Sequence, residues 1–440
     1  MERFSEDTIF APSSAIGGAI AVIRVSGAEA KRTRELLSAD PTEVPRVMRH
    51  VEIRQNGELI DDGMAAYFAA PKSYTGEDMA ELNCHGGMQT VQKVLAALGS
   101  LGFRPAEPGE FTKRAFLNGK MDLSAAEAVM DVINATAEQS LKAALLQLQG
   151  SVKREIDSTE SLLLDALSGI DAAIDYPDEA EADTVEALPA SLDQAEARVQ
   201  TLLAESLRGR VLRDGLRVAI VGRPNVGKSS LMNALLGSNR AIVTAQAGTT
   251  RDVIDEKLNM RGVPVRLIDT AGIRSASDEA ERIGVDRARG ELATADVVCV
   301  VLDASDPPTN EDRALIEETK DRTRLVLLNK SDLPRRIGNV DFGSALSISA
   351  KTGEGLDQLR DAILSLAAPE RSDGTYITNE RHISALERAL SALTDAKQAA
   401  ELDCAATDIK NALHYLGSIT GTDVDASVID RIFANFCVGK

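Results

Sequence analysis

The octapeptide GRPNVGKS at residues 222–229 constrains this chain more than any other stretch of it. It fits the spacing G-x-x-x-x-G-K-[S/T]. It follows the apolar run VAIVG and opens the helical run SSLMNALLG, the strand–loop–helix context in which that spacing acquires meaning. The glycines let backbone N–H groups close around phosphate oxygens, and the N-terminus of the following helix favours negative charge. Asn225, Val226, Gly227, Lys228, Ser229 and Ser230 are therefore the expected phosphate-binding residues. Lys228 would reach the β- and γ-phosphates and the Ser229 hydroxyl a Mg2+ ion.

A phosphate loop does not choose a base; Asn329, Lys330 and Asp332 do, at the end of the apolar strand RLVLLN. A carboxylate there accepts from guanine's ring N–H and its exocyclic amine. Adenine offers neither, and a site with unpaired buried acceptors rejects it. Ser349, Ala350 and Lys351 end another strand and add a backbone N–H for the guanine carbonyl. Asp269, Thr270, Ala271 and Gly272 have the form DxxG, with the Asp acting on Mg2+ through water and the Gly amide sensing the γ-phosphate. Thr249 and Thr250 precede them, Thr250 as the second hydroxyl on Mg2+. Each short motif is weak alone, but five in this order describe a P-loop GTPase. Two departures bear on mechanism. Ile273 follows DTAG where Ras-type enzymes carry a water-positioning Gln, and no arginine finger is evident. Asn225 inside the phosphate loop either serves ordinary turn chemistry or holds a monovalent cation, K+, where a finger's charge would go.

Around this segment the 440 residues change texture twice. Residues 1–118 read as mixed α and β: a strand in 17–27, helical spacing in 29–37, a hairpin around an Asn-Gly turn in 51–69, a helix in 86–102 and another opened by Pro108. Residues 119–213 and 371–440 are Ala/Leu-rich with helical periodicity, and residues 214–370 alternate short apolar strands with helices, the pattern of a mostly parallel sheet. An α/β domain inserted into a discontinuous helical one follows. The acidic stretch 175–186 reads as a solvated loop between helices. A net charge of -19 argues against a surface coated with nucleic acid. Cys84, Cys299, Cys404 and Cys437 are far apart with no CxxC, so no disulfide framework or zinc site is expected. No apolar run reaches the roughly 18 residues of a membrane span, so the expectation is a cytoplasmic protein without membrane contact.

With those motifs in view, the tail LGSITGTDVDASVIDRIFANFCVGK (416–440) and the segments IRVSG, YTGEDMAELNCHGG and FLNGKMDLSAAEA closely resemble the tRNA modification GTPase MnmE (TrmE) family, over essentially the whole chain. The resemblance implies a multi-domain α/β fold: a mixed α+β N-terminal domain that binds folate and dimerises the protein, an all-α helical domain in two pieces, and the inserted P-loop α/β G domain. It implies a partner, MnmG, which carries FAD, in a heterotetramer. The two modify carbon 5 of the wobble uridine of certain tRNAs with an aminomethyl or carboxymethylaminomethyl group, the one-carbon unit coming from a tetrahydrofolate derivative. It implies K+-dependent pairing of G domains during GTP hydrolysis. By motif, Arg24, Glu81, Lys120 and Lys440 would contact folate, although from the residues alone Arg24 and Glu81 read as the polar faces of strands and Lys120 as a helix-end charge. Asn225 would ligate K+ together with Thr244, Gln246 and Thr249 in a GTP-binding loop that includes Ala245, Ala247, Gly248 and Thr250. Glu281 aligns with the family's catalytic Glu. Cys437 is either a packing thiol behind the apolar face Ile429, Ile432, Phe433 and Phe436, or is carried by the tail to the folate beside Lys440 with a role in modification. The alternative class is a ribosome-assembly or signalling GTPase without modification chemistry. Such proteins usually append a basic RNA-binding module, which this acidic chain does not show.

Overall fold

A computed structural model describes residues 7–237, 255–269, 294–338, 345–367 and 375–440. The chain forms two compact units, residues 1–130 with 148–156 and 414–440, and residues 131–147 with 157–413.

In the first unit six strands form one sheet in the order β3-β4-β5-β2-β1-β6. They are β1 Ile9–Pro12, β2 Ile20–Ser26, β3 Arg49–Gln55, β4 Glu58–Phe68, β5 Met79–His85 and β6 Arg104–Pro105. Alternation decides which face is buried. Ala21, Ile23 and Val25 of β2, Leu82 and Cys84 of β5 and Val51 and Ile53 of β3 join Val91, Val94 and Leu98 of helix Met88–Ser100 in one core. The expected β3–β4 hairpin turns at Asn56 and Gly57, both at positive φ (50° and 84°), as the twist-matched two-residue turn requires. Residues 30–36 form a 3-10 helix rather than an α-helix. The helix expected to open at Pro108 starts at Glu110, because Gly109 takes a left-handed conformation at its N-cap, φ 68°. A Cβ there would lie 2.7 Å from the Phe433 carbonyl oxygen. Helix Ala426–Phe433 then packs Ile429 and Phe433 against Phe116, Leu123 and Ala126.

In the second unit the sheet order is β12-β11-β10-β7-β9-β8. The strands are β7 Leu216–Val221, β8 Asp255–Met260, β9 Val263–Asp269, β10 Val297–Asp303, β11 Arg324–Asn329 and β12 Ala345–Ser347. All pairs are parallel except β8–β9. Every residue of β10 is buried, which is why the sequence there is a continuous apolar run. The acidic stretch read as a loop is instead the start of helix Pro177–Asp214. Proline fits a first helical turn, and Asp178 near the helix start is favoured by the exposed N–H groups there. Helix Glu380–Gln398 packs along it, with Lys397 Nζ 2.5 Å from Asp193 and 2.6 Å from Glu196. The outgoing segment 376–378 of the sheet lies against the end of the incoming helix. Arg213 pairs with Asp131 at 3.2 Å, and Arg208 stacks 5.4 Å from the Tyr376 ring centroid. Gly209 approaches Ile377 so closely that a Cβ would lie 2.1 Å from its carbonyl oxygen. Among the described residues no helix is long and apolar enough to cross a membrane.

Candidate functional sites

The phosphate loop runs from the end of β7 to helix Lys228–Leu236. Its path needs two left-handed residues, Asn225 (φ 64°) and Gly227 (φ 100°). Asn is among the few side chains that tolerate that region, and Gly pays no steric cost there. A Cβ on Gly227 would come within 2.3 Å of Asn329 Nδ2. Lys228 folds its ammonium back across the loop and donates to the Gly222 and Arg223 carbonyls at 2.7 and 2.9 Å. Ser229 and Ser230 occupy the first turn of the helix. This cradle of glycine turns, an ammonium and a helix N-terminus fits a polyphosphate with Mg2+ on a hydroxyl.

One side chain joins this loop to the residues that the sequence assigns to base recognition. Asn329, buried at the end of β11, donates through Nδ2 to the Val226 carbonyl at 2.8 Å and accepts from the Ala350 N–H at 3.0 Å. Lys330 pairs with Asp303 at the end of β10, 2.5 Å apart. Burial opposes the Asp303 charge, but the Lys330 and Ser305 hydrogen bonds outweigh it and hold the carboxyl below its usual range. Ser349 Oγ donates to Asp332 at 2.7 Å, and that bond holds the Asp332 carboxyl low as an ionised acceptor. Lys351 is exposed in the turn that follows Ala350. The structure thus brings Asn225 through Ser230 together with Asn329, Lys330, Asp332, Ser349, Ala350 and Lys351. Asp269 ends β9, next to the phosphate-loop strand. Its side chain, Thr244 through Thr250, Thr270 through Gly272 and Glu281 lie outside the described residues.

In the first unit, Arg24 on β2 and Glu81 on β5 are direct cross-strand partners. The guanidinium donates to Glu81 Oε1 through Nε and Nη2 at 3.1 and 2.9 Å. It also lies 5.0 Å from the Tyr74 ring centroid and 5.7 Å from that of Phe111, within cation–π range. Burial pushes the Tyr74 phenol up, and its hydroxyl meets Thr112 Oγ1 at 2.9 Å. Lys120 donates to the Pro71 carbonyl at 2.9 Å, in the loop that carries Tyr74. The tail reaches the same neighbourhood. The Phe111 N–H donates to the Lys440 carbonyl at 3.1 Å, and Val438 bridges Pro108. Arg24 and Glu81 thus pair with each other, with Tyr74 and the fully buried Phe111 ring beside the guanidinium. Cys437 is exposed, so the packing role falls to Phe433 and Phe436 and not to the thiol. Tyr74, Phe111 and Asp303 were not singled out by sequence. Tyr74 sits in the quoted YTGEDMAELNCHGG segment, but nothing in the spacing ties it to Arg24.

With that geometry in place, comparison with known proteins is decisive. Residues 8–120 match the family profile described as GTP-binding protein TrmE N-terminus, and residues 123–437 match that of the MnmE helical domain. The chain is 44% identical over 457 residues to the tRNA modification GTPase MnmE of Enterococcus faecalis, covering 99% of this chain and 98% of that protein. The chain belongs to the tRNA modification GTPase MnmE family. Family proteins of Clostridioides difficile and Geobacillus thermodenitrificans are each 42% identical over 458 residues. The alignments cover 99% of this chain in both cases, with 100% and 99% of those proteins. The family's helical match brackets the whole nucleotide-binding sheet, so both of its flanks belong to one family segment.

Proposed function

We propose that this chain is a K+-activated GTPase of tRNA modification that works with an FAD-carrying partner on carbon 5 of wobble uridine, using a tetrahydrofolate one-carbon unit. The observation that carries the reading is the Asn329 bridge, which fixes the phosphate loop and the base-reading loop to one another. Family membership supports GTP as substrate and tRNA modification as the process. Lys228 and the loop amides bind the phosphates, and Asp332 and the Ala350 region bind guanine. Ser229 and Thr250 would hold Mg2+, which neutralises phosphate charge when bound. Asn225 with Thr244, Gln246 and Thr249 would hold K+, which supplies positive charge beside the β- and γ-phosphates. Glu281 would orient the attacking water, since Ile273 has no polar group. Arg24, Glu81, Lys120 and Lys440 would hold the folate, whose one-carbon unit is the chemical input. Dimerisation through the first unit, a complex with the MnmG-type partner and a cytoplasmic location complete the proposal.

The test is GTP turnover in K+ and in Na+, together with wobble-nucleoside analysis of tRNA from a strain lacking this chain. Turnover should be high in K+ and low in Na+, with the difference removed by Asn225→Ala. The strain should lose the modified uridine. Equal turnover in both salts overturns the cation role, and unchanged tRNA overturns the modification role.

A further inference from the structure

The β8–β9 hairpin connects the segment that the sequence assigns to Mg2+ through Thr250 with the one it assigns to Mg2+ and the γ-phosphate through Asp269 and Gly272. Thr250 lies five residues before β8 begins at Asp255, and Asp269 ends β9. At its far end the hairpin turns through Arg261 and Gly262, φ 51° and 90°. The Gly262 carbonyl there accepts a hydrogen bond of 3.1 Å from the backbone amide of Gln139. A Cβ on Gly262 would lie 3.4 Å from the Gln139 side chain. Gln139 is the second residue of helix Glu138–Leu148, and the first N–H groups of a helix have no partner within it. The contact therefore satisfies a donor the helix cannot use.

Both sides of the contact are tied to further structure. In the hairpin, Asn259 Oδ1 accepts from the Gly262 N–H at 2.7 Å, and Arg261 pairs with Asp361 of helix Leu356–Ala367. β8 and β9 pair over their full six-residue register, a rod of about 20 Å at ~3.4 Å per residue. On the other side, Ser140 donates to the Leu212 carbonyl at 2.6 Å, and Ala143 packs with Leu212 and Tyr376. Leu212 and Tyr376 belong to the segments that lead into and out of the nucleotide-binding sheet.

We propose that the Gln139 amide and the Gly262 carbonyl form a positioning contact between the helical segment and the sensing hairpin. Through it the helix biases GTP turnover, and the bound nucleotide alters the start of the helix. The proposal rests on the GTPase reading above. The two strands of the hairpin pair at six positions and β9 pairs in turn with β7, so a displacement at the end near Asp269 is passed along the ladder towards the tip, which has a partner on the helix. Neither residue belongs to the motifs that the sequence assigns to the nucleotide.

Two full-length variants test it. Gln139→Pro removes the amide donor in a first helical turn, where proline is tolerated. Gly262→Asn presses a side chain towards Gln139, where a Cβ alone would lie 3.4 Å from the Gln139 side chain, and strains a backbone held at φ 90°. Guanine-nucleotide binding, GTP turnover and amide exchange of residues 138–148 with GDP and with a non-hydrolysable GTP analogue are measured for each. The wild type should show nucleotide-dependent exchange in that helix. Both variants should bind nucleotide normally, lose that dependence and change turnover by about fivefold or more, the lower end of a typical coupling. Whichever variant keeps the wild-type melting temperature decides, and where neither does, the nucleotide dependence of exchange in the wild type decides. Exchange that is identical in the two nucleotides in the wild type, or dependence retained in the variants, overturns the proposal. A wild type that binds no guanine nucleotide overturns the GTPase reading instead.

Discussion

Asn329 does the work of two residues with one amide. Its donor and acceptor are each matched to a backbone group, one on the phosphate loop and one on the loop proposed to read the base, and it is only 2% exposed. Asn329→Ala leaves both groups without a partner, at roughly 1–3 kcal/mol for a buried unsatisfied group. The expected outcome is a lower melting temperature and GTP affinity reduced by about tenfold or more, read by thermal unfolding and nucleotide titration. Asp332 makes a second prediction at this scale. Its folded carboxyl lies below the usual range because Ser349 donates to it. A lowered folded pKa stabilises the folded chain above the unfolded pKa, and the gain disappears as pH falls through the lowered value. The carboxylate proposed to read the base thus stays charged into mild acid. Ser349→Ala should move the acid limb of guanine-nucleotide binding to higher pH, measured as affinity against pH. Asp332→Asn should weaken guanine binding and favour xanthine nucleotides, since the amide nitrogen donates to the xanthine carbonyl.

At the scale of elements, the end of helix Pro177–Asp214 is shaped by the segment lying on it. Gly209 is the one position there where a methyl group would strike a backbone carbonyl, at 2.1 Å. Gly209→Ala would ordinarily raise helix propensity by ~1 kcal/mol. Here overpacking of about 1–3 kcal/mol opposes that gain, so the net expectation is a fall in melting temperature. The phosphate loop was legible in the sequence because its chemistry is local: eight consecutive residues between a strand and a helix. The β8 strand was not read, although Arg261-Gly262 between two runs is a usable turn signal. Its strand DEKLNM has too little apolar character to announce an edge. The acidic start of the long helix misled because charge density resembles a solvated loop, while the backbone followed Pro177 and the dipole. The Arg24–Glu81 pair came only through family resemblance. Two residues 57 apart meet because β2 and β5 share a register, and periodicity gives faces without registers.

At the scale of the whole molecule, the tail is held by backbone fit. Gly439 sits at φ 93°, and a Cβ there would lie 1.9 Å from the Pro12 carbonyl oxygen. Gly439→Ala should unseat residues 438–440, abolish tetrahydrofolate binding in calorimetry and leave GTP turnover intact. The net charge of -19 sets a further expectation. This chain alone should retain little tRNA at physiological salt, and filter binding should improve sharply when the proposed FAD-carrying partner is added. The seam where Arg213 meets the Thr378 carbonyl has a kinetic consequence. Those residues are 165 positions apart, and pinning so long an unstructured loop costs entropy that rises with the logarithm of its length, ~0.6 kcal/mol per doubling. A folded sheet that already holds its own ends together removes most of that search. The nucleotide-binding insert should therefore gain protection first in pulse-labelled refolding, and helix Glu380–Gln398 should dock onto its partner only after the insert has closed the distance.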